Sequence, residues 1–422
     1  MPRIFNSSDP SGSTPPGDSA PAGGEPRPPS GDTPDAPPAT TPSAPNPSDS
    51  PEASAGSRDP KPPSPEASEK GLAPDLLGLP LKELQEILAP VVDRPFRAKQ
   101  IFHALHQRGV SEVGEMTDLS KELRRKLEDR FRIGVPKVVE AHTSADETTK
   151  YLFELTDGAV IEAVDIPDGE RRTLCISSQA GCALACRFCV TGYWGGGRNL
   201  TAGEIVGQVQ AIRQRIGELP AGLNLVFMGM GEPLLNPDNV RDAIHLLAER
   251  ISWRRMTLST VGILPALEEM ARWPKRPNLA VSLHAPDDEL RSRLMPVNQK
   301  YPLADLMALL HRWPLEKGRK ITFEYVLIRD VNDSLPTADA LASLVQGLPA
   351  KVNLIPVNHD PVLGERMQPP APETTERFQQ RLKSHGVVTT VRRQRGDEVS
   401  GACGQLRASH RPARGFRTPV QL

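Results

Sequence analysis

The chain has 422 residues, 24% of them charged, with a formal net charge of −1. That length holds a large catalytic domain plus an appendage. No run of about 18 apolar residues occurs, so no membrane span is expected, and the N-terminus lacks the apolar stretch of a secretory signal. Five cysteines, three of them crowded into one loop, fit a reducing compartment and a metal or catalytic use rather than a disulfide framework. A cytoplasmic monomer is the expectation.

Residues 1–71 are rich in Pro, Ser, Gly and Ala and almost free of large apolar side chains. They cannot bury enough surface to offset the entropy of ordering, so a disordered tail is expected. The first 70 residues carry 10 acidic and 5 basic side chains, which leaves an excess of about four positive charges downstream. Basic clusters stand at Arg254–Arg255, at Arg392, Arg393 and Arg395, and in a tail (407–422) with Arg407, Arg411, Arg414 and Arg417. Such clusters neutralise phosphates, although any one of them reads equally well as solvated surface.

Apolar residues at helical spacing over 79–88, 97–106 and 119–131, punctuated by Pro90, Pro95 and Gly109, predict a small helical accessory domain over 72–137. Its basic positions (Arg97, Lys99, Arg124, Arg125, Lys126) suit either RNA contact or an ordinary surface. Residues 138–406 form the second domain. Two strand-like runs, 151–155 and 159–166, flank the hairpin signal Thr156-Asp157-Gly158. Strands then alternate with helices. Strands are expected at 174–177, 223–227, 256–260, 279–283, 321–328 and 351–355, with a last one at 387–391. Helices are expected at 201–217 (opened by the capping box Thr201–Glu204), 238–250, 264–272, 287–294, 303–313, 337–346 and 373–384. Short apolar strands alternating with helices mean β/α units on a parallel sheet. Six units are too few for a closed eight-fold barrel and suit a partial (β/α)6 barrel, whose chemistry sits at the C-terminal strand ends.

The first of those strand ends leads into Cys182-Ala-Leu-Ala-Cys186-Arg-Phe-Cys189. Three thiolates at C-x3-C-x2-C hold three irons of a 4Fe–4S cluster and leave the fourth iron open, whereas four cysteines would saturate it. A structural zinc site using Cys175 as fourth ligand is the alternative; zinc pairs usually come as two well-separated C-x2–4-C units. The second strand is followed by Met228-Gly-Met-Gly-Glu-Pro233, where glycines admit a ligand to the backbone and Glu232 accepts hydrogen bonds from an ammonium. Ser259, the Ser282-Leu-His-Ala285 run and Asn358 follow later strands and offer small polar groups suited to a ribose or a carboxylate. A lone histidine such as His284 is by itself more often structural than a ligand. Cys175 and Cys403 remain. A buried small hydrophobe is the plain reading of each, but the glycines around Cys403 suggest an exposed loop and a candidate nucleophile.

The cysteine spacing with Phe188 inside it resembles that of the radical S-adenosylmethionine (SAM) enzymes. Several stretches together resemble the radical-SAM methyltransferase of adenine carbon 2 in 23S ribosomal RNA: 175–182, the cluster motif, Arg198-Asn-Leu200, Gly229-Met-Gly-Glu-Pro-Leu-Leu-Asn236, Ser282–Ala285, the loop 401–406 and Phe96-Arg-Ala-Lys-Gln-Ile-Phe102. The resemblance covers about residues 77–406. It implies a radical-SAM barrel, a 4Fe–4S cluster on Cys182, Cys186 and Cys189, and two SAM molecules per turnover. It implies SAM contacts at Gly231, Glu232, Ser259, Ser282, Leu283, His284 and Asn358. One SAM methylates Cys403. The second yields a 5′-deoxyadenosyl radical that takes a hydrogen from the S-methyl group, and the carbon radical adds to the adenine. Glu162 matches the proton acceptor; read by itself it is a surface carboxylate. Cys175 then attacks the sulfur, forming a Cys175–Cys403 disulfide and releasing the product. Many members also modify the adenine 3′ of the anticodon in certain transfer RNAs, and a reduced flavodoxin is the expected electron donor. The chain departs from the family in the glycine-rich loop Tyr193-Trp-Gly-Gly-Gly197 and at Val261, where a serine is common. The rivals are a sister enzyme acting on carbon 8 of the same adenine, a zinc-bound RNA-binding protein, and a radical-SAM enzyme for a small molecule or peptide. The last has no evident use for Cys175 and Cys403.

Overall fold

The computed structural model describes residues 73–406, apart from His359, Arg366, Gln394, Ala402 and Cys403. The expected disordered tail, the basic tail and Cys403 therefore lie outside the described residues. Three short helices open the described chain: α1 (Leu81–Leu88), α2 (Phe96–His103) and α3 (Lys121–Glu128). Their apolar stripes bury Leu84, Leu88, Ala98, Ile101, Leu123 and Leu127. The Ser120 hydroxyl caps α3 by accepting from the Leu123 N–H at 3.2 Å, the usual way to satisfy a first-turn donor. The helix expected over 97–106 changes pitch at Ala104, widens into a π turn and stops at Gly109, whose φ is 73°. Of the five basic positions noted above, Arg97 bonds Gln100, Arg124 bonds the Gly114 carbonyl and Lys126 pairs with Glu122. Lys99 and Arg125 are exposed.

The sheet has ten strands in chain order. β1 (Lys137–Thr143), β2 (Thr149–Glu154), β3 (Val160–Asp168) and β4 (Arg171–Cys175) form an antiparallel meander. From β4 onward every pairing is parallel, through β5 (Leu223–Phe227), β6 (Met256–Thr260), β7 (Asn278–Ser282), β8 (Ile321–Leu327), β9 (Ala350–Pro356) and β10 (Thr389–Val391). Parallel neighbours need long crossovers, supplied by α5 (Ala202–Ile216), α6 (Pro237–Leu247), α7 (Leu264–Met270), α8 (Asp288–Leu294), α9 (Leu303–His311), α10 (Leu335–Leu344) and α11 (Pro372–Ser384). A short α4 (Val190–Tyr193) precedes α5. Among the described residues no pairing joins β1 to β10, so β4–β9 make the six units of a partial barrel. The helical segment packs on α5, where Gln210 Nε2 donates to the Val110 carbonyl at 2.6 Å.

Three differences from the expected elements have local causes. Strand β1 has no apolar face to announce it: Lys137, Ala141, His142 and Thr143 are exposed, and only its pairing with β2 holds it extended. The strand expected at 174–177 is Arg171–Cys175, because the Ser177 N–H leaves the ladder for Gln208 Oε1 at 2.9 Å. The last strand starts at Thr389 rather than Val387, whose N–H caps α11 by bonding the Leu382 carbonyl.

Alternate residues of the strands line the lumen, among them Thr173, Val226, Thr257, Thr322, Glu324, Lys351, Asn353 and Thr390. The segment after β10 then crosses from β10 to the meander. Arg395 donates to the Pro167 carbonyl (2.9 Å) and Asp168 (2.6 Å), the Gly396 N–H donates to Asp146 (3.2 Å), and Glu398 accepts from the Ala145 N–H (3.0 Å). This strap leads to residue 403.

Candidate active site

The cavity at the C-terminal ends of the parallel strands is walled by the cysteine loop on one side. Cys182, Cys186, Phe188 and Cys189 line it, facing Gly231, Glu232, Ser259, Ser282, His284 and Asn358. The loop is clamped by its backbone. The Cys182 N–H donates to the Gly195 carbonyl (3.0 Å), the Arg187 N–H to the Leu294 carbonyl (2.9 Å) and the Cys189 N–H to the Cys186 carbonyl (3.2 Å). The glycine run 195–197 has a steric reason here, because a Cβ on Gly197 would stand 1.4 Å from the Ala180 carbonyl oxygen.

Cys182, Cys186 and Cys189 form no disulfide. Burial pushes the Cys182 thiol up to about 12, with the Cys189 charge adding to it. Burial, then Cys182 and Cys189, pushes Cys186 well above the usual thiol range. Cys186 is buried and Cys182 and Cys189 are half-buried; thiolates crowded in this way repel one another and call for a cation, since only the thiolate is a metal ligand. Among the described residues no three His, Cys, Asp or Glu side chains converge on a single ion site. Three thiols of one loop lining one cavity wall offer the donor set of a multi-iron cluster.

Glu232 is the hub of the opposite wall. Its Oε1 accepts from the Leu234 N–H (3.0 Å) and its Oε2 from the Val261 N–H (3.0 Å), while its own N–H donates to Gln179 (2.8 Å). Burial pushes its carboxyl up to about 7, against the pull of the Thr260 hydroxyl and the Val261 and Leu234 N–H groups. A carboxylate offers about four lone-pair sites, so room is left for the ammonium of a ligand. Gly231 stands against Gln179, and a Cβ there would come 2.5 Å from the Gln179 Cβ. His284 Nδ1 accepts from the Val326 N–H at 3.0 Å, and its ring meets Phe188 edge-on at 4.4 Å. Burial, then Arg291, holds its pKa down to about 3. It is therefore a neutral imidazole with the proton on Nε2, and it is structural and cavity-lining at once. Leu283 is fully buried and absent from this wall; its N–H bonds the Glu324 carbonyl and its carbonyl accepts from Arg291.

Cys175 and Glu162 lie on the lumen face of the meander. Cys175 pairs with Val164 of β3 and with Val226 of β5, and Glu162 lies two residues from Val164. Because side chains alternate across a strand, all four share one face. Glu162 is fully buried, not the surface carboxylate that its local sequence suggests. Cys403 lies outside the described residues, but its neighbour Gly404 lines the cavity and accepts from the Val190 N–H at 2.6 Å. Leu406 accepts from the Thr191 hydroxyl at 2.7 Å. The strap is thus held against the cysteine loop on the far side of residue 403.

Two charged residues at the site escape the sequence reading. Arg291 is 0% exposed and donates to the carbonyls of Val261 (2.8 Å), Ser282 (3.0 Å) and Leu283 (3.2 Å) and to Asn298 (2.6 Å). Glu324 joins the cavity to the lumen, with Oε2 accepting from Asn353 at 2.7 Å. An arginine in a helix and a glutamate in an apolar strand carry no local mark of burial.

A cysteine-walled cavity at the open ends of a six-unit parallel half-barrel defines a radical-SAM enzyme, one that uses a 4Fe–4S cluster and SAM. Residues 176–340 match the model of the radical SAM superfamily, and residues 74–133 match that of the ribosomal RNA large subunit methyltransferase N-terminal domain. A Halorhodospira halophila protein is 47% identical over 345 residues, covering 81% of this chain and 95% of its own length. A Marinobacter nauticus protein is 46% identical over 342 residues, covering 79% and 92%. Both are dual-specificity RNA methyltransferases RlmN. The crystal structure of a radical SAM methyltransferase from Sphaerobacter thermophilus matches with a TM-score of 0.75 and 43% identity, over 80% of this chain and all of that one. The chain belongs to the RlmN family of radical-SAM RNA methyltransferases. Among the described residues no helix is long and apolar enough to cross a membrane.

Proposed function

We propose that the enzyme methylates carbon 2 of an adenine in 23S ribosomal RNA, and of the adenine 3′ of the anticodon in certain transfer RNAs. The observation that carries this reading is the joint placement of Cys175 and Glu162 on one lumen face, together with Gly404, the residue after Cys403, in the cavity wall. The cluster and SAM, when bound, supply the radical that an sp² carbon without an acidic proton requires. Cys182, Cys186 and Cys189 hold the cluster. Gly231, Glu232, Ser259, Ser282, His284 and Asn358 hold SAM, and Leu283, buried behind them with its N–H and carbonyl already bonded, fixes the strand end. Cys403 carries the transferred carbon on its sulfur, Glu162 accepts the proton that leaves carbon 2, and Cys175 attacks the Cys403 sulfur to free the product. Lys351, Arg392 and Arg393 in the lumen wall and the helical segment 72–137 contact the RNA. Reduced flavodoxin supplies the electron to a cytoplasmic monomer.

The test is mass spectrometry of adenosines from ribosomal and transfer RNA incubated anaerobically with reconstituted enzyme, SAM and reductant. 2-Methyladenosine is the expected product; 8-methyladenosine would move the reaction to the other carbon. No methylated adenosine from a preparation that cleaves SAM would overturn the substrate. Two variants separate the cysteine roles. Cys403→Ala retains iron and loses methylation entirely, as read by cluster absorbance and product mass. Cys175→Ala accumulates a covalent protein–RNA adduct visible on a denaturing gel. Normal turnover in either variant removes that cysteine from the mechanism.

A further inference from the structure

Lysine is almost never fully buried unless it is paired, yet Lys150 is 5% exposed in the middle of the meander. Its register explains where it points. Lys150 pairs with Val164, which pairs with Cys175, while Leu152 pairs with Glu162. Lys150, Glu162 and Cys175 therefore project from the same face of β2, β3 and β4. The Lys150 Nζ stands 3.4 Å from Glu162 Oε1. Leu152, Val164 and Val226 complete that face around them with apolar side chains. The Asp165–Arg172 pair, at 3.0 Å, belongs to the opposite face. The described titratable groups on this face are thus Lys150 from β2, Cys175 from β4 and, one strand further out, Glu140 and His142 of β1, which pair with Leu152 and Lys150 and bond each other at 2.8 Å. From beyond β4, Ser177 touches only the Glu162 carbonyl, donating its hydroxyl at 2.6 Å.

We infer that Lys150 is a positioning residue for the proton-transfer step: its ammonium keeps the buried Glu162 carboxyl ionised and aimed, ready to accept the proton from adenine carbon 2. The inference rests on the role proposed above for Glu162. In the step itself the C2–H bond breaks, its electron pair stays with the ring, and the proton forms an O–H bond on Glu162. A protonated carboxyl cannot do this. Burial favours the neutral acid and a cation at contact distance favours the carboxylate. Removing Lys150 takes away a cation at contact distance that offsets this desolvation, so the balance moves toward the neutral acid.

The test compares Lys150→Met and Lys150→Arg in the reconstituted full-length enzyme. Lys150→Met should lower RNA methylation at neutral pH by about tenfold, while 5′-deoxyadenosine still forms. The covalent protein–RNA adduct should then build up. The acid limb of its pH–rate profile should move to higher pH, because removing the cation raises the carboxyl pKa and the working carboxylate appears only in more alkaline solution. Lys150→Arg should keep the limb near its original place. A buried carboxylate deprived of this cation can also destabilise the fold, so a Lys150→Met, Glu162→Gln double variant provides a neutral pair that restores folding. If the inference holds, this double variant is no slower than Glu162→Gln alone. An unshifted acid limb, or a double variant slower than Glu162→Gln, would overturn the role of Lys150. Full turnover by Glu162→Gln would instead refute the proton-acceptor reading itself, so the two failures are told apart.

Discussion

Replacing Cys186 with alanine should abolish cluster binding and all turnover while leaving the fold in place. Cys186 lies at the centre of the loop: its carbonyl accepts from the Cys189 N–H, and its thiol feels the charges of both Cys182 and Cys189. Two thiolates cannot bind a cluster that needs three protein ligands. The lost thiol is small and the loop backbone is tied down at Gly195 and Leu294, so the cluster-free protein should melt within about 1 kcal/mol of the cluster-free parent, as a volume-similar core swap does. Iron content, the visible charge-transfer absorbance and SAM cleavage should all fall to background. Cys175→Ala, by contrast, should keep its iron. Retention of an active cluster in Cys186→Ala would show that some other residue supplies the third ligand.

Arg291→Met should be the most destabilising single change near the site. The guanidinium spreads its donors over three carbonyls from the ends of β6 and β7 and one asparagine, buried except for the half-buried Ser282. Burial lowers its pKa to about 10, against the opposing effect of Cys186, so it remains a cation at neutral pH. A methionine of similar length removes all of these donors at once; the Leu283 carbonyl keeps the Ala285 N–H, and the loss at the other acceptors costs about 3–5 kcal/mol. The same carbonyls belong to Val261, Ser282 and Leu283, so the SAM pocket loosens with the fold and the KM for SAM should rise more than tenfold. Arg291→Lys should rescue little, because one ammonium cannot reproduce a planar fork of five donors. Calorimetry and initial rates decide it: an unchanged melt with an unchanged KM would mean that water replaces the guanidinium.

Much of this enzyme is legible in one dimension. The C-x3-C-x2-C spacing places three thiols on one loop whatever surrounds it, and the alternation of short apolar strands with amphipathic helices requires a parallel sheet, because only a crossover can return the chain. Gly231 and Glu232 are readable too, since a glycine that meets Gln179 and a carboxylate that bonds the next strand's loop both follow directly from β5. These are local properties: spacing, period and turn chemistry act within a few residues.

What the tertiary structure alone decides is which charges are dry and whom they meet. Lys150, Glu162, Arg291 and Glu324 each look like solvated surface residues in their own segments. Their burial depends on β2 lying beside β3, on α8 tucking under the ends of β6 and β7, and on β8 facing the lumen. The edge strand β1 stayed hidden for the same reason, since its pairing with β2 supplies the order that its own exposed side chains do not. A buried charge survives only where distant elements bring it a partner, and the energy of that meeting is set by dielectric and geometry in three dimensions, to which sequence spacing is blind.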